Sequence, residues 1–193
     1  MRVLVIGANG RLGHEIVAAG LRHGHDLKGF AGDPTDRFAV GDAVAGRDAV
    51  VYAVAPAAGR RRDGVAAAGA LAAVRAMSDL RVPRLVCLSA AGISPQADVE
   101  GSWWHEHVVK PLFRPGAAAE LRQMEVTVRQ SGLDWTIVRP ARLVDEPAQH
   151  FWRAGPGYGV PHGSKIAYAD VAAFVVEQLD DDRDVGHAVA IAW

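Results

Sequence analysis

Three glycines near the start of the chain have the spacing of a phosphate-binding loop. Gly7, Gly10 and Gly13 follow the apolar segment 2–6 and precede a helical pattern with Ile16 and Val17 on one face. In such a loop the first glycine permits a tight turn, the second leaves room for a diphosphate, and the third lets helix and strand pack closely. The N-terminus of the helix attracts negative charge. The pattern predicts dinucleotide binding, and a purely structural turn is the alternative. The residues predicted to bind the dinucleotide are Gly7, Asn9, Gly10, Arg11, Leu12 and Gly13.

Small and hydroxyl side chains follow two later apolar segments. Ala53, Val54 and Ala55 end one of them, where small side chains let the backbone approach a ribose, and Ser89 ends the other. Ligands of open α/β sheets bind beyond the carboxyl ends of the strands. Ser89 is therefore a candidate catalytic and cofactor-binding residue. Its hydroxyl either polarises a substrate carbonyl, holds the carboxamide of the cofactor, or caps the turn after the strand.

The elements that must position these residues alternate along the chain. Strands are predicted at 2–6, 26–31, 49–55, 84–90, 134–139 and near 187–192, and helices at 11–23, 63–79, 117–131 and 169–179. This order is typical of an α/β fold, a doubly wound parallel sheet with helices on both faces. The connection 32–48 holds at most one brief strand and a turn of helix, so the third strand of the usual nucleotide-binding half is expected to be reduced or missing. The chain, 1–193, is predicted to be a single domain.

Two segments, 92–115 and 141–165, break the regular pattern and are predicted to form a small substrate lobe. In the first, Trp103 and Trp104 would form an aromatic wall or a plug of the lobe. His105 and His107 alternate as ligands on a strand would, but without further ligands at a suitable spacing we expect no metal. In the second, the segment 150–152 would fold over the pocket.

The composition argues against several classes of function. Lys and Arg number 21 against 22 Asp and Glu, so a net charge of −1 gives no electrostatic reason to expect nucleic acid as a partner. No apolar segment approaches the ~20 residues of a membrane span, and the start of the chain lacks a cleavable signal pattern. We therefore expect a cytoplasmic protein with a small-molecule substrate, and leave its oligomeric state open. The single cysteine, Cys87, is predicted to be a buried core residue.

Four segments together resemble the atypical short-chain dehydrogenase/reductases. They are 7–13, 85–90, 124–140 and 166–172, and the third contains the run Ser-Gly-Leu-Asp-Trp-Thr-Ile-Val-Arg-Pro. The chain is most similar to the small NAD(P)H-binding oxidoreductases of the NmrA-like and biliverdin reductase B (flavin reductase) type, over nearly its whole length. The resemblance implies a Rossmann-like domain with a small substrate lobe, and it implies that Pro140 and Arg142 line the nicotinamide pocket.

The chain departs from that family at the usual acid–base pair. Most short-chain reductases carry a tyrosine and, four residues later on the same helix face, a lysine. The matching positions here are Ala117 and Leu121, which cannot transfer protons. Glu120 and Glu125 resemble the acidic positions of relatives that also lack the pair. Glu120 is thus a second candidate catalytic residue, with a solvated helix face as the alternative.

The cofactor is predicted to be NADP, with NAD as the alternative. A carboxylate at the end of the second strand would bind the ribose 2′-hydroxyl and favour NAD. The strand 26–31 ends without one, and Asp33 comes slightly late. Arg11 can offer its guanidinium to the 2′-phosphate of NADP.

These expectations combine into one function and two alternatives. We expect an NAD(P)H-dependent oxidoreductase that reduces a small aromatic or conjugated organic acceptor by hydride transfer, without the usual tyrosine–lysine pair. The proton would come from solvent or from Ser89. The alternatives are a non-catalytic NAD(P)-binding redox-sensing regulator, and a non-redox isomerase or cyclase with Glu120 or a histidine as its base.

Overall fold

The computed structural model describes residues 1–56, 64–93, 116–161 and 163–193. The strands in these parts are β1 (Arg2–Ile6), β2 (Asp26–Phe30), β3 (Ala49–Tyr52), β4 (Arg84–Leu88), β5 (Asp134–Pro140), β6 (Arg142–Val144), β7 (Arg153–Pro156), β8 (Lys165–Ala167) and β9 (His187–Ala192). The α-helices are α1 (Arg11–Arg22), α2 (Arg37–Val44), α3 (Val65–Leu80), α4 (Ala117–Arg129) and α5 (Tyr168–Asp180). A short 3₁₀ turn covers Ala91–Ile93. No helix in the described ranges is both long and apolar enough to cross a membrane.

The main sheet has the strand order β2-β1-β3-β4-β5-β9-β7. Its strands are parallel except for β7, which pairs antiparallel with β9 at one edge. The chain runs outward from β1 to β2, and then returns to place β3 on the other side of β1. This reversal is the point in an open α/β sheet where ligands bind.

Alternate side chains of β1 point to opposite faces of the sheet. Val3 and Val5 join an apolar cluster that includes residues of α1 and α5. Leu4 and Ile6 join a second cluster that includes residues of α2, α3 and α4. A strand buried on both faces is apolar throughout, as this one is. The prediction of a doubly wound sheet with helices on both faces is therefore confirmed.

The prediction for the segment after β2 was partly wrong. All of 31–48 is described and contains no strand, so β2 forms the edge of the sheet. This confirms the expectation that the third strand of the usual nucleotide-binding half is reduced or missing. However, the segment holds the eight-residue helix α2 rather than a single turn. Asp36 caps this helix by accepting hydrogen bonds from the N–H groups of Phe38 and Ala39.

The segment 141–165 is divided between two sheets. Its strand β6 pairs in parallel with β8, while β7 adds an edge to the main sheet. One part of this predicted substrate-lobe segment, β7, thus extends the main sheet. Residues 94–115, with the two tryptophans and the two histidines singled out above, lie outside the described residues, and the substrate lobe stays a prediction.

Candidate functional site

A cavity of about 440 Å³ lies where β3, β4 and β5 end and α1 begins. Its volume falls within the range of small-molecule sites. The structure brings together at this cavity most of the predicted cofactor-binding residues, namely Gly10, Arg11, Leu12, Gly13, Ala53, Val54, Ala55, Ser89, Pro140 and Arg142. Gly7 and Asn9 belong to the same loop but do not line the cavity.

Two glycines allow the loop to sit tightly between β1, β3 and α1. Gly7 has a φ of +98°, and a Cβ on it would lie 2.6 Å from the carbonyl oxygen of Ala53. A Cβ on Gly13 would overlap the carbonyl oxygen of Gly7 and lie 2.8 Å from Ala8 Cα. Both contacts involve backbone atoms, which cannot rotate away. The turn and the close approach of helix to strand therefore require glycine, as the sequence predicted.

The first turn of α1 offers backbone donors to a ligand. Gly10 is the N-cap in an extended conformation, with no side-chain cap, and the first turn has no acidic residue. The first ordinary helical bond runs from the N–H of His14 to the oxygen of Gly10 at 2.9 Å. The N–H groups of Arg11, Leu12 and Gly13 consequently lack partners within the helix. These donors and the positive end of the helix dipole fit a diphosphate.

Arg11 is held at the mouth of the cavity by two neighbours. Its guanidinium forms an ion pair with Asp145, and it lies 4.7 Å from the centre of the Tyr168 ring. The hydrogen bond and charge of Arg11 hold the pKa of the Asp145 carboxyl below its usual value. The guanidinium therefore lies toward the residues after β6 and not toward β2. The contact of Arg11 with the 2′-phosphate of NADP stays a prediction.

Tyr168 is a cavity residue that the sequence reasoning missed. It lines the cavity as the first residue of α5, directly after β8. The available signal was its position, because the carboxyl end of a parallel strand is where ligand contacts concentrate.

The end of β2 carries an aromatic ring and not a carboxylate. Phe30 is the last residue of the strand, and a Cβ on Gly32 would lie 2.6 Å from the tip of its ring. The Asp33 carboxylate accepts hydrogen bonds from the N–H and the hydroxyl of Thr35, at 2.9 and 2.7 Å. Asp33 thus has a structural role in its own turn.

Ser89 lines the cavity, but its hydroxyl points into the protein. Its N–H donates to the carbonyl oxygen of Val138 at 2.8 Å, which ties the end of β4 to β5. Its Oγ is buried and has no hydrogen bond of standard geometry with the described residues. The hydroxyl does lie close enough to Glu125 to help lower the pKa of that carboxyl. In this conformation Ser89 does not offer its proton to the cavity.

Glu125 is an ionised carboxylate in the core beside Ser89. Only 2% of its surface is exposed. It accepts two hydrogen bonds from Arg139, at 2.9 and 2.6 Å, and it lies 2.9 Å from Arg129. Burial alone would raise the pKa of Glu125, but the bonds and charge of Arg139, with smaller contributions from Ser89 and Arg129, outweigh burial and lower it. A carboxylate held in this way is a poor proton donor at neutral pH.

Glu120 is not among the residues that line the cavity. Its Oε1 accepts a hydrogen bond of 2.6 Å from the N–H of Ala66 in the first turn of α3. The N-cap of that helix, Gly64, supplies no side-chain cap. Glu120 therefore caps α3 from α4, which corrects its expected placement beside the substrate and leaves its catalytic role without geometric support.

The two positions that the resemblance matches to a tyrosine–lysine pair, Ala117 and Leu121, are apolar in the fold. Leu121 lines the cavity and is 3% exposed, and Ala117 is buried on the same helix. An apolar wall thus stands where the family resemblance would place a lysine.

Cys87 and the segment 150–152 lie away from the cavity lining. Cys87 is buried and free, as predicted, and burial raises the pKa of its thiol. The N–H of His150 donates to Asp170 at 3.0 Å, and Trp152 packs edge-on against Phe174 of α5. These contacts join the segment 150–152 to α5, and its folding over the pocket stays a prediction. No group of three His, Cys, Asp or Glu residues within them could hold a metal ion.

Comparison with known proteins places these features in a family. A family model described as NAD(P)H-binding matches residues 26–182. A comparison with curated proteins finds no significant match. Among solved structures, a short-chain dehydrogenase/reductase of the wide type from Veillonella parvula, in complex with NADP, is 16% identical with a TM-score of 0.81, over 99% of this chain and 94% of that one.

Two further solved structures share the fold over nearly their whole length. A candidate NAD-dependent epimerase/dehydratase from Bacillus halodurans is 21% identical with a TM-score of 0.80, over 100% of this chain and 94% of that one. A candidate NADH-flavin reductase from Streptococcus pneumoniae is 19% identical with a TM-score of 0.77, over 100% of this chain and 99% of that one. At these identities the likeness establishes the common fold alone.

Proposed function

The chain belongs to the NAD(P)H-binding family, and on this premise we propose that it is an NADPH-dependent reductase of a small aromatic or conjugated organic acceptor. The observation that carries the proposal is the cavity itself. It joins the open N-terminus of α1 to an apolar wall at the ends of β3, β4 and β5. A coenzyme and a planar acceptor can share such a space.

The loop would hold the coenzyme by its diphosphate. The N–H groups of Arg11, Leu12 and Gly13 would donate to the phosphate oxygens, and the small residues 53–55 would let the ribose lie against the backbone. When bound, the dihydronicotinamide ring supplies the hydride. Leu88, Leu121 and Pro140 would exclude water from the acceptor and hold it close to that ring.

The described lining offers little acid–base chemistry. Its hydroxyl groups belong to Ser89 and Tyr168, and the Ser89 hydroxyl faces Glu125. The proton therefore comes from solvent in this proposal. Protonation then follows hydride transfer, and the reduced acceptor exists first as an anion. Flavins and quinones stabilise such an anion by conjugation, so they suit this site better than simple ketones.

NADP is the proposed coenzyme. The solved relative from Veillonella parvula that holds NADP supports this choice, and so does the absence of a carboxylate on the last residue of β2, Phe30. Arg11 gives no support, because its guanidinium is engaged by Asp145. Titration of the protein with NADPH and NADH, followed by nicotinamide fluorescence, should give the lower Kd for NADPH.

Acceptor-dependent oxidation of NADPH tests the reductase. The protein should oxidise NADPH in the presence of a flavin or quinone, and deuterium at C4 of the nicotinamide should slow a rate limited by hydride transfer. Absence of turnover with the whole panel at high protein concentration, although NADPH binds, would exclude the reductase. That result would favour the redox-sensing regulator, for which the inward-facing Ser89 hydroxyl already argues.

A further inference from the structure

We propose that Arg142 selects acceptors that carry a negative group, a carboxylate or a phosphate, attached to their conjugated ring system directly or through a side chain. This inference rests on the proposed reductase function for the nature of the acceptor. It goes beyond that function by naming the chemical class of the acceptor and the residue that recognises it. The proposal thus assigns Arg142 to the acceptor, whereas the sequence analysis assigned it to the cofactor.

The charged side chains in the described lining are both arginines, Arg11 and Arg142. Arg11 is neutralised by its ion pair with Asp145. Arg142 forms no ion pair or hydrogen bond with its side chain among the described residues. A guanidinium without a counter-ion, beside a largely apolar cavity, favours an anionic ligand that can accept two parallel N–H bonds.

The position of Arg142 separates it from the coenzyme diphosphate. The diphosphate would lie at the start of α1, directly after β1, whereas Arg142 begins β6, one residue after β5. In the sheet β3 and β4 lie between β1 and β5. Three spacings of about 4.8 Å put the two strands about 14 Å apart. Arg142 therefore lies at the end of the cavity away from the diphosphate, and in this proposal the acceptor binds there.

A second cation near Arg142 is already neutralised. Lys165 of β8 is the register partner of Arg142, and its Nζ lies 2.6 Å from Glu146. Among the described residues of the β6–β8 pair, Arg142 is thus the cation left for a ligand. Leu143 and Pro140 beside it also line the cavity, while Arg142 itself is exposed and open to a ligand.

FMN and riboflavin provide the test, because they share one ring system and differ by a phosphate. The wild-type protein should use FMN with a KM about tenfold lower than that of riboflavin, as one charge-assisted contact allows. Arg142→Gln should bring the two KM values within about twofold of each other, chiefly by raising the KM for FMN. Arg142→Lys should restore part of the preference. Added salt should weaken the preference in the wild type.

Arg153→Gln is the matched control. Arg153 is an exposed arginine of β7 that does not line the cavity, so its loss changes the net charge equally and should leave the FMN preference intact. Equal use of FMN and riboflavin by the wild type, or an FMN preference that survives in Arg142→Gln, would overturn the inference and leave the reductase standing.

Binding of the same two flavins separates this inference from the reductase. Their fluorescence should be measured with the NADP⁺-loaded protein, with no turnover needed. If neither flavin is reduced, but FMN binds about tenfold more tightly than riboflavin and Arg142→Gln removes the difference, the inference holds and the reductase does not. If FMN fails to bind more tightly than riboflavin in this assay, the inference is overturned.

Discussion

Gly13→Ala should weaken coenzyme binding far more than it weakens the fold. The added Cβ would overlap the carbonyl oxygen of Gly7 and lie 2.8 Å from Ala8 Cα. Because these atoms belong to the backbone, either the loop or the start of α1 must shift. The same loop and helix carry the N–H groups that would hold the diphosphate, so a shift that the fold tolerates still misaligns the donors.

The two costs can be estimated separately. Overpacking costs about 1–3 kcal/mol, and alanine in a helix recovers about 1 kcal/mol relative to glycine. The free energy of unfolding should therefore fall by no more than about 2 kcal/mol, which lowers the Tm by at most roughly 8 °C in a chain of this size. Loss of two hydrogen bonds to a charged phosphate, at about 1.5 kcal/mol each, should raise the Kd for NADPH by about 100-fold.

Gly41→Ala is the matched control. For both variants the Kd for NADPH is measured by calorimetric titration and the stability by thermal unfolding. Gly41 lies within α2, and a Cβ on it would meet no atom within 4 Å. This variant should gain about 0.5–1 kcal/mol in stability and keep the wild-type Kd. A folded Gly13→Ala protein that binds NADPH as tightly as the wild type would refute the assignment of the loop to the diphosphate.

Three further predictions concern charge and burial. Glu125→Gln leaves its buried partner Arg139 without its counter-charge, so the free energy of unfolding at neutral pH should fall by about 3–5 kcal/mol. Because the fold lowers the pKa of Glu125, its ionised carboxylate stabilises the wild type, and this stabilisation is lost as the pH falls below about 4.3. Chemical unfolding should therefore show that the Glu125→Gln variant loses less stability than the wild type between neutral pH and about pH 3. Asp145→Asn releases Arg11 and removes a negative charge from the cavity mouth, so the variant should bind NADPH more tightly than the wild type at low salt. The control Glu146→Gln breaks only an ion pair with Lys165 and should not change the Kd for NADPH. Weaker NADPH binding by Asp145→Asn would contradict this reasoning. Cys87 should react with a thiol reagent only in denaturant, and rapid labelling of the native protein would disprove its burial.

The sequence predicted those parts of the fold that local pattern determines. The segment from β1 through the glycine loop to α1 is a continuous apolar strand, a turn that only glycine can make, and an amphipathic helix. Each of these features lies within a few residues of the chain. The burial of Cys87 followed in the same way, because its neighbours along β4 are apolar.

Pairings between distant residues could not be predicted from local pattern. The strands β6 and β8 have three residues each and exist because they pair with each other. The strand β7, Arg-Ala-Gly-Pro, has a composition that disfavours strands and forms at the free edge of β9. Glu120 bonds to a backbone N–H that lies 54 residues away, and Arg11 pairs with an aspartate, Asp145, more than half the chain away. These contacts decide which candidate side chains reach the cavity.

The arrangement around Ser89 bears on which acceptors the proposed reductase can use. Arg139 keeps Glu125 ionised, and the Ser89 hydroxyl lies toward that carboxylate and not toward the cavity. Leu121, an apolar residue, lines the cavity wall. With no donor held ready among these residues, hydride transfer must produce an anion that survives until solvent protonates it. Conjugated rings meet that requirement through delocalisation, and a negative group held by Arg142 would fix their orientation without placing an acid beside the reacting carbon.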